Sequence, residues 1–424
     1  VKRKVGILVF TDKVKEKSTL RADYFDNMKY FGFRYIIGEI DRKENEVVYV
    51  SAKDIKNCDY VLVSLTSFYD VYNLVNELHK VNKGKCKIVV GGAGVTNIRV
   101  YKGLIDFACF GRGEGIINDL FNGKIPKNVW SKEVDPDLLG KYEIGKLKCF
   151  IGDEKSVGCK KKCFFCQYSW KNYFVSRRKI KAYTSGYNEY EDFFLSLDWE
   201  KTTKGYAVTA MDGVTEQSRF LVNKGMTNEE IVGHIKKVYE LPTDKYYRVK
   251  VYQIIGYSWE GKEVAELEEL KTILKKADKM RKTHKIRIYF HFTHFTPMQL
   301  TPMYFLEFNT INFHRELKEN WIVYEGKNII AKVSQYSSSI IPAFEELFVE
   351  RGMEKDYKLM VNILLSRKYR NLPWYKKVKV HKQYFPHILR EQEKITVNYL
   401  VSPYNYLKTS EFLKNKLKGM GKDL

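Results

Sequence analysis

The sequence has no apolar run approaching the roughly eighteen residues that a bilayer-spanning helix needs, and no secretory pattern at its start. Val1-Lys2-Arg3-Lys4 leads into a short apolar run, residues 5–10, that closes on Thr11-Asp12-Lys13 and predicts a first β-strand. The expectation is a soluble, cytoplasmic chain without a membrane partner. Cysteine is scarce, seven in 424 residues, yet three of the seven crowd into eight positions. That crowding argues against a disulfide framework and for metal ligands in a reducing compartment. Acidic residues are also few, 51 against 74 Lys and Arg, for a formal net charge of +23. The imbalance agrees with a polyanionic partner, although lysine-rich composition alone produces the same figure. The length suggests two or three domains.

Strands are predicted at residues 5–10, 59–65, 87–90 and 105–110, with a helix at 71–81 between the second and third. Near-continuous apolar strands separated by amphipathic helices predict an α/β fold whose residues 1–127 form a doubly wound, Rossmann-like parallel sheet. Ligands bind such sheets beyond the carboxyl ends of the strands. There stand Gly91-Gly92-Ala93-Gly94 and Gly111-Arg112-Gly113-Glu114-Gly115, either ligand loops or tight turns. Residues 128–147, with Pro136 and Gly140, read as a linker, and 331–424 as a mixed, basic C-terminal extension with a helical run at 341–351. Between 367 and 382 there are seven basic residues and no acidic one, interleaved with Tyr369, Trp374 and Tyr375. Cations for phosphates beside aromatic faces for bases suit DNA or RNA. Arg367, Lys368, Arg370, Trp374, Lys376, Lys377 and Lys379 are the candidate contacts, with a solvated charged face as the plain alternative.

A predicted strand at 148–152 runs into Cys159-Lys-Lys-Lys-Cys163-Phe-Phe-Cys166. Thiolates ligate iron–sulfur clusters, and close spacing lets one loop wrap one face of a cube. Three ligands for four irons leave one iron open to a substrate or cofactor. A structural zinc site is the main alternative, but it wants four protein ligands, and no histidine or further cysteine follows until His234. The C-x3-C-x2-C spacing, with Phe165 directly before the last cysteine, resembles the signature of the radical S-adenosylmethionine (SAM) superfamily.

The resemblance implies a 4Fe-4S cluster on Cys159, Cys163 and Cys166, SAM on the open iron, and a partial (β/α) barrel over 148–330. It also implies one-electron cleavage of SAM to a 5′-deoxyadenosyl radical, fed by a reductant such as flavodoxin or ferredoxin. Residues 206–211 followed by Asp212 to Arg219, then 249–256, then Phe292 to Met303 with its paired Thr-Pro, are similar to successive strands of the cobalamin-domain group. By that likeness Phe165, Asp212, Glu216, Arg219, Ile255 and Gly256 become candidate SAM contacts. Glu216 and Arg219, three apart, also suit an ordinary surface ion pair. His291 and His294 fall on opposite faces of a strand. Tyr257-Ser258-Trp259 departs from the group's usual turn, and no Gly-Gly-Glu-like motif is recognisable between Cys166 and Tyr206, where residues 193–198 are a shortened stand-in.

Residues 1–127 resemble the cobalamin-binding domain that precedes many such cores, the matching residues being Ser64, Thr66, Gly91, Gly92, Gly111, Gly113 and Glu114. The Asp-x-His-x-x-Gly motif is absent and His79 is the only histidine before residue 230. Cobalamin, if bound, would therefore lack a histidine ligand from that motif. Cys58, Cys86 and Cys109 read as packed thiols rather than a second cluster. The function implied is methylation or rearrangement of an unactivated carbon by a transferase or isomerase acting on a nucleic acid. The same chemistry on a small metabolite or peptide, and a non-catalytic iron–sulfur sensor, stay open.

Overall fold

A computed structural model describes residues 2–10, 31–135, 142–149, 156–172, 175–176, 188–189, 206–240, 247–256, 263–280, 285–308, 322–332, 336–390, 392 and 397–419. The fold is mixed α/β, with two six-stranded sheets built largely from parallel strands.

The first sheet joins β1 (Arg3–Leu8), β2 (Asn45–Tyr49), β3 (Tyr60–Ser64), β4 (Lys87–Gly91), β5 (Phe107–Cys109) and β6 (Val129–Ser131) in the order β2-β1-β3-β4-β5-β6. All pairings are parallel except β5 with β6. Strands covered on both faces read as continuous apolar runs: Val61 and Val63 of β3 enter one core while Leu62 enters another. The strand order reverses between β1 and β3, a switch point at which such sheets open a crevice. The helix Phe68–Leu78 starts on a capping box from Ser67 and Asp70. Elements that escaped the sequence reading include β2, five residues with a weak apolar pattern, and the helices Phe31–Gly38 and Ile116–Phe121. Residues 129–131, within the stretch read as a linker, pair with β5 as the sheet's antiparallel edge.

After β7 (Tyr142–Glu143) and the hairpin of β8 (Ser156–Val157) with β9 (Val175–Ser176), the second sheet follows. It comprises β10 (Asn188–Glu189), β11 (Tyr206–Ala210), β12 (Tyr247–Ile255), β13 (Ile286–His294), β14 (Ile322–Glu325) and β15 (Ile329–Lys332), ordered β10-β11-β12-β13-β15-β14. β14 alone runs antiparallel. Helices Asn228–Glu240 and Glu263–Asp278 are the crossovers. Alternation along β12 and β13 separates two faces. Val249, Val251, Gln253 and Ile255 are buried with Ile286, Ile288, Phe290, Phe292 and His294, whereas Lys250, Tyr252, Ile254, Tyr289, His291 and Thr293 are half-exposed. The helix Tyr336–Arg351 lies between the sheets: its Phe344 packs at a tilt against Phe308, and Tyr72 of the first sheet's helix packs on its Phe348. β16 (Leu400–Val401) returns to pair with β7.

The predicted strands at residues 206–211 and 249–256 correspond to β11 and β12. Of the strand predicted at 148–152, Lys148 and Cys149 are irregular and the remainder lies outside the described residues, as do 177–179, 193–198 and 257–260. Among the described residues no helix is long and apolar enough to cross a membrane.

Candidate functional site

The cysteine loop leaves β8 and ends in the helix Gln167–Lys171, with Cys166 as the extended residue at the helix start. Lys162, at φ 53°, turns the loop, and the Cys163 carbonyl accepts from Cys166 N–H at 3.1 Å and Trp170 Nε1 at 2.9 Å. Two distant segments pin it. Phe164 N–H donates to Val222 O at 3.1 Å, Met303 N–H donates to Phe164 O at 3.2 Å, and Asn223 Nδ2 donates to the carbonyls of Lys161 and Lys162 at 2.9 and 3.1 Å. Val222 and Asn223 follow β11, and Met303 follows β13, so the loop is fixed across the carboxyl ends of the parallel strands.

Cys163 is buried, while Cys159 and Cys166 are half-exposed. Burial pushes the Cys163 thiol up to about 12, with Asp212, Cys166 and Cys159 adding to the rise and Lys224 opposing it. The three sulfurs are therefore electrostatic neighbours beside the Lys224–Asp212 ion pair, which closes at 2.9 Å. Among the described residues no three His, Cys, Asp or Glu side chains converge on one point as placed, and the loop carries one buried and two half-exposed thiols.

At the exit of β11, Asp212 adopts φ 57°. Arg219 is fully buried and donates to the carbonyls of Met226, Gly213 and Val214 at 2.7, 3.2 and 3.2 Å. It holds the exit loop from beneath, and a Cβ on Gly213 would come within 2.6 Å of its atoms. Glu216 accepts from Asn228 N–H at 2.9 Å, fixing the start of the next helix. Ile255 is buried, and Gly256, at φ +95°, lies under the His294 ring, 2.8 Å from where a Cβ would stand. Phe165 is half-buried against the core. Asp212 is thus brought beside the cysteines, while Glu216 and Arg219 serve the backbone around it.

The first domain's candidates cluster at the carboxyl end of its sheet, mostly in internal contacts. Ser64 is buried. Thr66 donates through N–H and Oγ1 to Asp70 at 2.6 and 2.7 Å. Gly91 ends β4, and Gly92, at φ +110°, folds so tightly that a Cβ would sit 2.5 Å from Leu65 O. Gly111 bridges Gly145, Gly113 lies near Cys109 and Ile36, and buried Glu114 pairs with Arg112 at 2.7 Å. His79 caps its own helix, Nδ1 lying 2.9 Å from Val75 O. Cys58, Cys86 and Cys109 are buried, and burial pushes the last two thiols up to about 12.

Lys171 is a site residue that no spacing announced. Its buried ammonium donates to Ala93 O, Val95 O and Thr96 Oγ1 at 3.1, 2.9 and 3.0 Å, tying the cysteine loop's helix to the loop after β4. Burial lowers it to about 8 against the opposing pull of Glu350. Burial raises Glu350 to about 7, although Gln299 N–H and Gln167 Nε2 donate to it at 3.0 and 3.2 Å. Tyr399 closes the same seam, accepting from Ile98 N–H and donating to Thr96 O, both at 2.9 Å. A cavity of about 380 Å³ remains beside it, lined by Arg112, Ile144, Lys146, Val157, Lys171 and Val175 among others.

The basic segment forms the helices Arg367–Arg370 and Trp374–Tyr384. Arg367, Lys368, Arg370, Lys376 and Lys379 are exposed. Trp374, half-buried, meets exposed Tyr375 edge-on at 6.0 Å. Lys377 turns inward, 5.2 Å from the centre of the Tyr369 ring, whose hydroxyl lies 2.8 Å from His381 Nε2.

No family model matches the chain, and no curated protein matches it. Among the solved structures similar in outline are two of one enzyme. One is the cobalamin-dependent S-adenosylmethionine radical enzyme OxsB with aqua-cobalamin and S-adenosylmethionine bound, at TM-score 0.29 and 10% identity. The other is the same enzyme with aqua-cobalamin bound, at 0.30 and 10%. Each match covers 98% of this chain and 62% of that one. The chain therefore spans less than two thirds of the length of the structures it resembles.

Proposed function

We propose that this chain is a radical SAM enzyme acting on an unactivated carbon, by methylation or rearrangement. The observation behind this is the loop of three thiols, Cys163 within electrostatic reach of Cys159 and Cys166, pinned across the carboxyl ends of parallel strands. When bound there, a 4Fe-4S cluster with one open iron supplies the electron that splits SAM into methionine and a 5′-deoxyadenosyl radical. Cys159, Cys163 and Cys166 would hold the cluster, and their sulfur donor set fits it. The pinned backbone at Phe164 fixes the loop's height above the strand exits. Asp212, paired with Lys224, presents its carboxylate beside the site, and Arg219 holds the loop that carries it. Gly256 keeps the exit of β12 low enough for the His294 ring to cover it.

A corrinoid fits the first domain less readily, because most of the residues that would cradle it are engaged internally and His79 caps a helix. The exposed basic and aromatic surface of residues 367–379 favours a nucleic acid as the substrate, with a small metabolite or peptide as the competing reading.

Anaerobic reconstitution with iron and sulfide, followed by reduction in the presence of SAM, is the test. The expected result is a three-cysteine-dependent cluster and release of 5′-deoxyadenosine. A preparation that loads a cluster but never cleaves SAM would instead support a sensor, and one that takes up zinc and no iron would end the proposal. Corrinoid is assayed in the same sample.

A further inference from the structure

Parallel register sets Ala210, Tyr252, His291 and Lys332 side by side across β11, β12, β13 and β15. Partners on neighbouring parallel strands point to the same face about 4.8 Å apart, so these four form one row on the half-exposed face. The Tyr252 and His291 rings meet edge-on at 5.1 Å, and Lys250, one step back along β12, places its ammonium 4.5 Å from the centre of the Tyr252 ring. Across β12, β13 and β15 this face carries Arg248, Lys250, Arg287 and Lys332 and no acidic residue, while beyond Ala210 the register continues to Glu189 of β10. Glu325 of β14 stands at the outer edge, 3.6 Å from Lys332.

A parallel sheet ordinarily has both faces covered. Here the face carrying Val249, Val251, Ile286 and Ile288 is buried, whereas Lys250, Tyr252, His291 and Lys332 on the other are half-exposed. The row also lies close to the cysteine loop. Tyr252 O accepts from the N–H groups of Met211 and Asp212 at 3.0 and 3.4 Å, and Asp212 pairs with the Lys224 that neighbours Cys163. A group held by the row would sit one rung below the strand exit facing the candidate cluster. Burial and Lys250 both lower the His291 pKa, which favours a neutral imidazole offering one N–H.

We propose that Lys250, His291 and Lys332, with Tyr252 as the floor, form an anion subsite that binds a phosphate group of the substrate. The proposal names the substrate's chemical class and rests on the reading of this sheet as the substrate-facing half of a radical SAM enzyme. Ammonium groups bind phosphate as point charges.

The test is calorimetric titration of the anaerobic, full-length protein with inorganic pyrophosphate at low salt, without SAM or reductant. Wild type should bind, the K250Q/K332Q variant should bind at least tenfold more weakly, and K250R should bind like wild type. The patch variant R367Q/K368Q/R370Q, which removes the surface proposed to take nucleic acid, is titrated beside them and should lose less pyrophosphate affinity than K250Q/K332Q. Circular dichroism melting of each variant checks that the fold survives. No binding to wild type, unchanged binding to K250Q/K332Q, or loss in the patch variant alone would overturn the subsite. With the subsite upheld, a single-stranded oligonucleotide titration separates its sources: weakening in both variants identifies a phosphate of nucleic acid, and no dependence on K250Q/K332Q identifies a small phosphorylated substrate. Release of 5′-deoxyadenosine is scored separately, so the subsite and the radical SAM reading fail independently.

Discussion

Replacing Lys171 by methionine removes a buried charge that ties the cysteine loop's helix to the first domain. Three hydrogen bonds, to Ala93 O, Val95 O and Thr96 Oγ1, disappear together, and Glu350 loses a cation that opposes its raised pKa. Removing one partner from a buried charged network costs about 3–5 kcal/mol, and K171M should lose that much in urea unfolding at pH 7. Its pH profile should change as well. Lys171 is lowered from 10.5 to about 8 in the fold, so between those values the unfolded chain binds more protons and stability rises with pH, by about 3 kcal/mol in all. That alkaline rise should vanish in K171M. Glu350 is raised from 4.5 to about 7, so its contribution falls as pH climbs through that interval, and in K171M the fall should extend to higher pH. The double variant K171M/E350Q should recover part of the loss, because the unpaired carboxyl is gone. A K171M protein within about 1 kcal/mol of wild type that keeps the alkaline rise would refute the reasoning.

Alanine at Cys159, Cys163 or Cys166 should each abolish cluster retention and SAM cleavage, read as iron and sulfide per chain and 5′-deoxyadenosine released, since a cube held at three corners has no ligand to spare. Gly256→Ala should destabilise by about 2 kcal/mol or more in urea unfolding, because φ +95° excludes a side chain and the His294 ring must move. Gly38→Ala, which meets nothing within 4 Å, should be neutral or slightly stabilising by the same assay. For the basic surface, R367Q/K368Q/R370Q should flatten the dependence of log affinity for single-stranded nucleic acid on log salt by about 2, at roughly 0.7 per phosphate contact. An unchanged slope would leave that surface a solvated face.

The sequence spoke most clearly where local chemistry was dense. Apolar runs such as residues 59–65 declared β3 because a strand buried on both faces has little room for polar residues. The C-x3-C-x2-C loop was legible because ligands to one cluster must be close in sequence when a single loop carries them. Lys171, Glu350 and Tyr399 were not legible, since each acquires its meaning from a partner far along the chain, and a lone lysine after a cysteine motif looks like any surface lysine. Arg219 shows the reverse error of scale: its spacing from Glu216 suggested a pair on the surface, whereas burial turned it inward onto the carbonyls of Gly213, Val214 and Met226. The row on the second sheet needed strand register, which alternation along one strand does not reveal.

The amide and carbonyl of Phe164 are both held from elsewhere, one by Val222 and the other by Met303. A nascent chain emerging with its three thiols already exposed still lacks both clasps, and the second arrives only after β13 has been made. Cluster loading should therefore follow assembly of the second sheet rather than precede it, and a chain truncated before Met303 should carry the same cysteines yet hold iron poorly.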